Sequence, residues 1–458
     1  MPATLLNELT DALYDGILKR WYPLVIDREC GGYYTNIRAD WSLPPEQEKM
    51  IVTQARHVWT ASHVARFTGE PETYIPVAMH GFAFLRDVMW DARFGGFYQI
   101  RGREGGTTDV RGWRDEKRAY GNAFAIFALA ALYASTGDAG VLDAARRAFE
   151  WIEEHAHDPV HGGYFEFLTR EGSPFDHGSA YRTAACDASE LGYKDQNSSI
   201  HLLEAYTELY RVWPDPLVRE RLRELLLLIR DVMVDPRGYL RLFFEPDWTP
   251  VSFRDSPEEV RAAGEGLDHV SFGHDYETAF LLLEASDALG LENDEKTLRV
   301  AKRMLDHSLA WGWEKGVGGF FDAGYYFRGE ERCTITRATK NWWAQAEALN
   351  ALLLFARIYP HAPYLSCFLK QWEYVKRYVL DRDHGDWFEG GIDREPEFRT
   401  GPKSHVWKCT YHTTRALMNC IGHFRAPGGA EPDGRTAEIA EFAARWRLVA
   451  GRGALSPA

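Results

Sequence analysis

Asp27-Arg28-Glu29-Cys30-Gly31-Gly32-Tyr33-Tyr34 is the stretch that decides the fold, because the chain returns to its pattern five more times. An acidic residue, a short gap, then glycine and aromatics recur as Asp91…Gly95-Gly96-Phe97-Tyr98 and Asp158…Gly162-Gly163-Tyr164-Phe165. More worn copies follow as Asp235…Gly238-Tyr239, Glu314…Gly318-Gly319-Phe320-Phe321 and Asp383…Gly385-Asp386-Trp387-Phe388. The copies lie roughly 64 to 80 residues apart, long for one supersecondary unit and long enough for two helices. Six such units predict an all-α fold, an (α/α)6 barrel with six inner and six outer helices.

The hydrophobic pattern between the turns agrees. A polar-faced set covers 4–21, 71–90, 141–155, 217–234, 295–310 and 364–380. Its apolar residues fall at i, i+3, i+4 and i+7, with charges between, as an outer ring requires. A more apolar set covers 51–67, 119–135, 198–212, 276–289, 342–358 and 411–423. The run 123–132 is hydrophobic nearly all round, as befits a helix covered on most sides. Glycine in the intervening turns supplies the positive φ of a tight reversal, so most of the six turns are read as structural.

Two stretches break the pattern. The segment 243–273, with Asp255-Ser256-Pro257-Glu258-Glu259, is a long charged connection and a candidate lid. Beyond Arg425, Ala426-Pro427-Gly428-Gly429 reads as a linker, and 436–450 as an amphipathic helix on the outside of the barrel. The expected organisation is therefore a catalytic barrel over 1–425 and a C-terminal linker and helix over 426–458.

Composition narrows the function. The net charge of −14, without a long basic run, excludes a surface for nucleic acid or anionic membrane, which needs clustered Lys and Arg. Six scattered cysteines lack a C-x-x-C pair and are read as reduced thiols. The N-terminus lacks the basic start and apolar run of a signal peptide, and no stretch is read as a membrane span. These features predict a soluble cytoplasmic protein, a monomer or homodimer acting on a small molecule. The 16 Trp, 22 Tyr and 25 Phe suit either a wide packed core or stacking platforms for sugars.

Closing six helix pairs into a ring brings the starts of the inner helices to one mouth. The residues there are Arg56, Tyr120, His201, His274 with Glu277, the pair Trp342-Trp343 with Glu347, and His412. One histidine on an apolar helix is usually a satisfied core residue. Three at equivalent points of a ring converge on one cavity, and histidine can take and give a proton near neutrality. His274 and Glu277, at i and i+3, share a helix face, so the carboxylate is expected to orient the ring. His201 and Glu204 share that spacing, where a merely structural pair is equally in keeping.

A metal site is the rival. The ring histidines lack the spacing of a ligand signature, and His274-Asp275-Tyr276-Glu277 is not H-E-x-x-H. His155, His157 and His161 fall at an outer-helix end and turn and are read as surface residues. No metal and no cofactor are expected.

Several motifs resemble the N-acylglucosamine 2-epimerase superfamily. They are Gln196-Asn197-Ser198-Ser199-Ile200-His201-Leu202-Leu203-Glu204, Phe244-Glu245-Pro246-Asp247-Trp248-Thr249-Pro250 and Ser271-Phe272-Gly273-His274-Asp275-Tyr276-Glu277. Trp342-Trp343-Ala344-Gln345-Ala346-Glu347 and Trp407-Lys408-Cys409-Thr410-Tyr411-His412 complete the set. The resemblance spans about 5 to 425 and is strongest to the cellobiose and mannobiose 2-epimerases. It implies an (α/α)6 barrel, no metal, and epimerisation at C2 of a reducing-end sugar. By the same resemblance His274 and His412 match the pair that handles the C2 proton, and His201 a third essential histidine. Arg56, Tyr120, Asn197 and Glu277 match polar residues around the sugar. Trp407 and one of Trp342 or Trp343 match stacking platforms. Where such epimerases often carry a histidine, two residues before His201, this chain has Ser199.

The chemistry asks for such residues on its own terms. A sugar must open to expose its aldehyde before a base can remove the C2 proton, giving an enediolate that Arg56 would stabilise. Inversion then needs a proton from the opposite face, or rotation of the intermediate about C2–C3. Three alternatives stay open: an aldose–ketose isomerase, an (α/α)6 glycoside hydrolase built on opposed carboxylates such as Glu277 and Glu347, and a non-catalytic binding protein.

Overall fold

The inner helices span Ile51–Thr68, Ala119–Thr136, Gln196–Val212, Phe272–Ala288, Trp342–Ile358 and Tyr411–Phe424. Each packs against the next, and the last returns to the first, which closes the ring. The outer helices are Ala3–Leu13, Pro71–Phe84, Ala139–His155, Pro216–Leu228, Glu295–Trp311 and Tyr364–Tyr378. This is the (α/α)6 barrel. The computed structural model describes residues 3–108, 115–177, 179, 181, 190–425 and 434–453. Cys186 and the linker expected at 426–429 lie outside them.

The inner ring is tight because its helices carry little bulk. In Ala119–Thr136 every residue from Ala119 to Leu132 is buried, and seven of those fourteen are alanine or glycine. By length and composition this helix is apolar enough to cross a membrane, contrary to the expectation that no stretch is. Its apolar surface is instead covered by the barrel, with 78% of the window buried.

Each repeated turn is pinned by a short antiparallel bridge, from Ile26–Tyr33 in the first to Leu380–Trp387 in the sixth. Gly31 and Gly32 adopt φ of 81° and 64°. A Cβ on Gly32 would stand 2.5 Å from Gln54 Oε1. The amide of Gln54 occupies that space because it clasps both backbone groups of Tyr33, accepting from its N–H at 2.7 Å and donating to its carbonyl at 3.0 Å. Asn122 and Gln345 clasp Phe97 and Phe320 in the same way.

In five of the six repeats the acid meets a buried lysine that precedes an inner helix. Lys49 pairs with Asp27 at 2.9 Å, Lys117 with Asp91 at 3.2 Å and Lys194 with Asp158 at 2.7 Å. Lys340 pairs with Glu314 at 2.5 Å and Lys403 with Asp381 at 2.6 Å. In the fourth repeat Arg241 takes this part on Asp235, at 2.9 Å. The sixth acid is thus Asp381 and not Asp383. Asp381 Oδ1 accepts the backbone N–H groups of Asp383 and His384, as Asp27, Asp91 and Asp158 do in their own turns. Each lysine also donates to a turn glycine carbonyl, as Lys194 does to Gly162 at 2.8 Å.

Short strands form a crown at one end of the barrel. Lys49–Met50, Lys117–Arg118, Lys194–Asp195 and Val270–Ser271 each run directly into an inner helix. They pair antiparallel with Ile100–Arg101, Phe167–Leu168, Phe243–Phe244 and Ala323–Tyr325. The pairing fixes the inner-helix N-termini around a common rim. The expected lid holds a helix, Glu258–Asp268, and is latched down: Asp268 Oδ2 accepts from the Phe253 N–H at 2.6 Å and the Tyr325 hydroxyl at 2.9 Å.

The C-terminal helix, Gly434–Gly453, lies across the end of the barrel opposite the crown and not on its outside. It packs on Tyr411–Phe424, Trp342–Ile358 and Ile51–Thr68. Gly422 leaves room for Ile439, whose Cδ1 would be 2.6 Å from a Cβ there.

Candidate active site

The crown sets the first turns of the inner helices side by side, and the expected mouth residues gather there. His201 Nδ1 lies 2.9 Å from Glu204 Oε2, both buried. His412 Nδ1 lies 2.6 Å from Glu347 Oε1. The third histidine differs from expectation. His274 Nδ1 pairs with Ser271 Oγ at 2.7 Å, and Glu277 turns away to a different partner. The inner helix begins at Phe272, four residues earlier than its hydrophobic pattern indicated. Ser271 therefore becomes its N-cap residue, one turn before the ring.

Glu277 is taken by Arg415, which the sequence analysis did not single out. Arg415 is 4% exposed and stands one helical turn beyond His412. One terminal nitrogen donates to Glu277 Oε1 and Glu347 Oε1, each at 2.7 Å, and the other to Glu204 Oε1. One buried cation thus holds the carboxylates that orient His201 and His412. Tyr411 adds a hydroxyl to Glu204 at 2.7 Å. The signal available in the sequence was the one Lys, Arg, Asp or Glu in this inner helix.

Arg56, 4% exposed, donates to the Trp407 carbonyl at 3.0 Å and to the Tyr120 hydroxyl at 3.1 Å. Its guanidinium lies 4.4 Å from the centre of the Phe124 ring. Of the tryptophan pair, Trp343 belongs to the site. Its ring centroid is 4.8 Å from that of His274 and 5.7 Å from that of His412. Trp342 does not: its ring packs beside His405 and under Lys408. A cleft of about 270 Å³ opens from His274, Ser271, Tyr120, Asn197 and Trp407 toward His269 on the lid. Ser199 contributes nothing there, because its hydroxyl bonds the Asp195 carbonyl at 2.7 Å.

Burial sets the protonation of the site. It pushes His274 down to about 3, with His201 and His269 adding to the effect. It also drives His412 well below the usual histidine range, aided by Arg56 and Arg415. Both rings are neutral at neutral pH and able to accept a proton. Burial pushes Glu204 up, but Arg415 and His201 outweigh it and hold that carboxyl below its ordinary value. Glu347 goes the other way: burial and the neighbouring Glu277 raise it despite Arg415. Burial raises Tyr120 to about 12, so it stays a hydroxyl donor.

Glu277, Glu347 and His412 offer ligand atoms within 4.8 Å of one another, a set with the chemistry to bind a divalent cation. The Arg415 guanidinium already sits on both carboxylates, so the donors read as its counter-ions. A second group, Asp27, Glu29 and Cys30, is likewise tied to Lys49 and Arg103. Glu277 and Glu347 share one nitrogen of Arg415. They stand side by side, unlike the opposed carboxylates of a glycoside hydrolase.

The family model for N-acylglucosamine 2-epimerase (GlcNAc 2-epimerase) matches residues 32–416. The chain belongs to that family. This family member is 31% identical over 428 residues to the cellobiose 2-epimerase of Bacteroides fragilis, covering 92% of this chain and 100% of that one. It is 26% identical to the D-mannose isomerase of Thermobifida fusca over 352 residues, 75% of this chain and 77% of that one. Among solved structures, the cellobiose 2-epimerase from Bacillus thermoamylovorans B4167 superposes with a TM-score of 0.78 at 25% identity, over 93% of this chain and 100% of that one. The family member is a carbohydrate epimerase.

Proposed function

We propose that the protein inverts C2 of the reducing-end residue of a β-1,4-linked disaccharide of the cellobiose or mannobiose type. The observation that carries this is the placing of two neutral histidines from separate helices, His274 and His412, beside one tryptophan ring. A sugar ring held at Trp343 and Trp407 would present C2 between them. Once the ring opens, its aldehyde acidifies the C2 hydrogen. One histidine removes that proton through Nε2 and becomes an imidazolium. The other, having first taken a proton from solvent, delivers it from Nε2 to the opposite face and is left neutral. Each group of this kind is worth about 10²–10⁴-fold in rate.

The surrounding residues fit that task. A carboxylate on Nδ1 of His412 fixes the tautomer that leaves Nε2 free to accept. Arg56 donates to the Tyr120 oxygen, which frees the Tyr120 O–H to donate into the cleft, where the enediolate oxygens would carry the new charge. His201, oriented by Glu204, is the group for opening the sugar ring and exchanging protons at its oxygens. Asn197 is placed to bind hydroxyls. Similarity to curated cellobiose 2-epimerases supports the disaccharide, and similarity to a D-mannose isomerase supports the shared enediolate.

The test is proton NMR of the purified protein with cellobiose, 1,4-β-mannobiose or mannose in D2O. A 2-epimer with deuterium at C2 supports the proposal, and the preferred sugar defines the substrate. A ketose product would identify an isomerase. Cleaved glycosidic bonds, or no exchange with any of the three, would overturn the histidine mechanism.

A further inference from the structure

A space larger than the catalytic cleft lies away from it. A cavity of about 430 Å³ lies at the opposite end of the barrel, between the last turns of the inner helices and the C-terminal helix. Its inner wall starts one turn beyond the catalytic layer. Phe280, whose ring lies 5.3 Å from the Arg415 guanidinium, forms part of it, with Asn350 three residues after Glu347 and Asn419 four after Arg415.

The lining has a chemistry of its own. Asn350 and Asn419 are 3% and 8% exposed and joined by one hydrogen bond, Asn419 Nδ2 to Asn350 Oδ1, at 3.1 Å. That bond leaves the Asn350 N–H groups and the Asn419 oxygen for a guest. His423, 5% exposed, lines the same wall as a neutral ring, because burial pushes it down to about 3. The lining holds three arginines and five acids, Glu284 and Glu441 among them. Arg66 pairs with Glu438 at 3.3 Å, Arg445 with Asp287 at 2.9 Å, and Arg211 stands 3.8 Å from Glu208. The rings of Phe280 and Phe442 supply apolar faces.

Buried amides with spare hydrogen-bonding capacity, a neutral imidazole, carboxylates able to accept from hydroxyls and aromatic faces together recognise a polyhydroxylated molecule. We infer that this cavity is a second binding site, separate from the catalytic mouth, for a small neutral polyol or sugar, with the C-terminal helix as its cover. The inference does not rest on the proposed reaction.

Mannitol is a suitable probe because it has no carbonyl and is not turned over. Hydrogen exchange of the full-length protein should slow in the segments 416–424 and 438–446 when mannitol is added. Ala134 lies on the exposed rim of the cavity, so Ala134→Trp fills the space without entering the core. This variant should lose the added protection entirely. Should it lack a cooperative melt, Asn419→Leu decides, and should need at least tenfold more mannitol for half-protection. No slowing in the wild type overturns the inference. So does slowing that the deciding variant leaves unchanged.

Discussion

His412 Nδ1 and Glu347 Oε1 stand 2.6 Å apart in a buried pair, and the same carboxylate oxygen receives Arg415 at 2.7 Å. The carboxylate favours the imidazole proton on Nδ1, which leaves Nε2 without one. In Glu347→Gln the side-chain amide can donate to Nδ1, which moves the ring proton to Nε2 and removes the base. The expected outcome is a fall in kcat of about 10²–10⁴-fold with KM little changed, measured by initial rates of epimer formation.

Arg415 donates hydrogen bonds to three buried acids at once. Arg415→Met leaves Glu204, Glu277 and Glu347 without a counter-charge, as happens when one partner of a buried pair is removed. A loss of about 3–5 kcal/mol is expected, read from the urea midpoint. Arg415→Lys should recover part of it, since a single ammonium cannot reach all three oxygens in the guanidinium's planar fork.

The two tryptophans should separate cleanly. Trp343→Ala removes the ring beside His274 and His412 and should raise KM and lower kcat together. Trp342→Ala opens a core position 5% exposed and should cost about 3–5 kcal/mol while the surviving folded enzyme keeps its KM. Paired kinetics and thermal melts check both.

The repeat lysines should matter more than any surface pair. Lys194→Met leaves Asp158 buried and unpaired, at a cost of about 3–5 kcal/mol. Lys19→Met removes a pair whose side chains are 71% and 61% exposed, and the melting temperature should not move measurably.

His57 gives a pH test outside the catalytic residues. Burial alone pushes it to about 3, and its ring lies beside those of Trp21, Tyr22 and Tyr33. Below about 6.5 the unfolded chain protonates this group while the folded protein does not, so its contribution to stability falls as pH falls. His57→Gln abolishes that term. Relative to wild type, the variant should gain about 1.4 kcal/mol per pH unit between pH 6 and 4. Urea titrations at several pH values measure the difference. A constant difference contradicts the assignment.

Much of this was legible in the chain itself. Periodicity located all twelve barrel helices and set the inner-helix bounds within four residues, because each has one polar and one apolar face or is apolar throughout. The glycine-aromatic turns were legible because their backbone conformation limits the residue type. What escaped depends on contacts across the sequence. Lys194 reaches Asp158 from 36 residues away, and nothing local marks it. Trp342 and Trp343 are neighbours whose facing is set by the rotation of their helix. Arg415 looked like one charge on a core helix until three carboxylates from three other helices met it. The C-terminal helix was placed on the wrong side, because amphipathicity shows that a face is covered and not by what.

The central claim is that His274 and His412 serve opposite faces of C2. The most direct test follows deuterium wash-in at C2 in D2O, starting separately from each of the two epimers, in His274→Asn and His412→Asn. The account predicts that each variant stops epimerising yet still exchanges the C2 proton of one epimer, a different one in each case. If both variants exchange the same epimer, or either still converts one epimer to the other, the two-sided mechanism is contradicted.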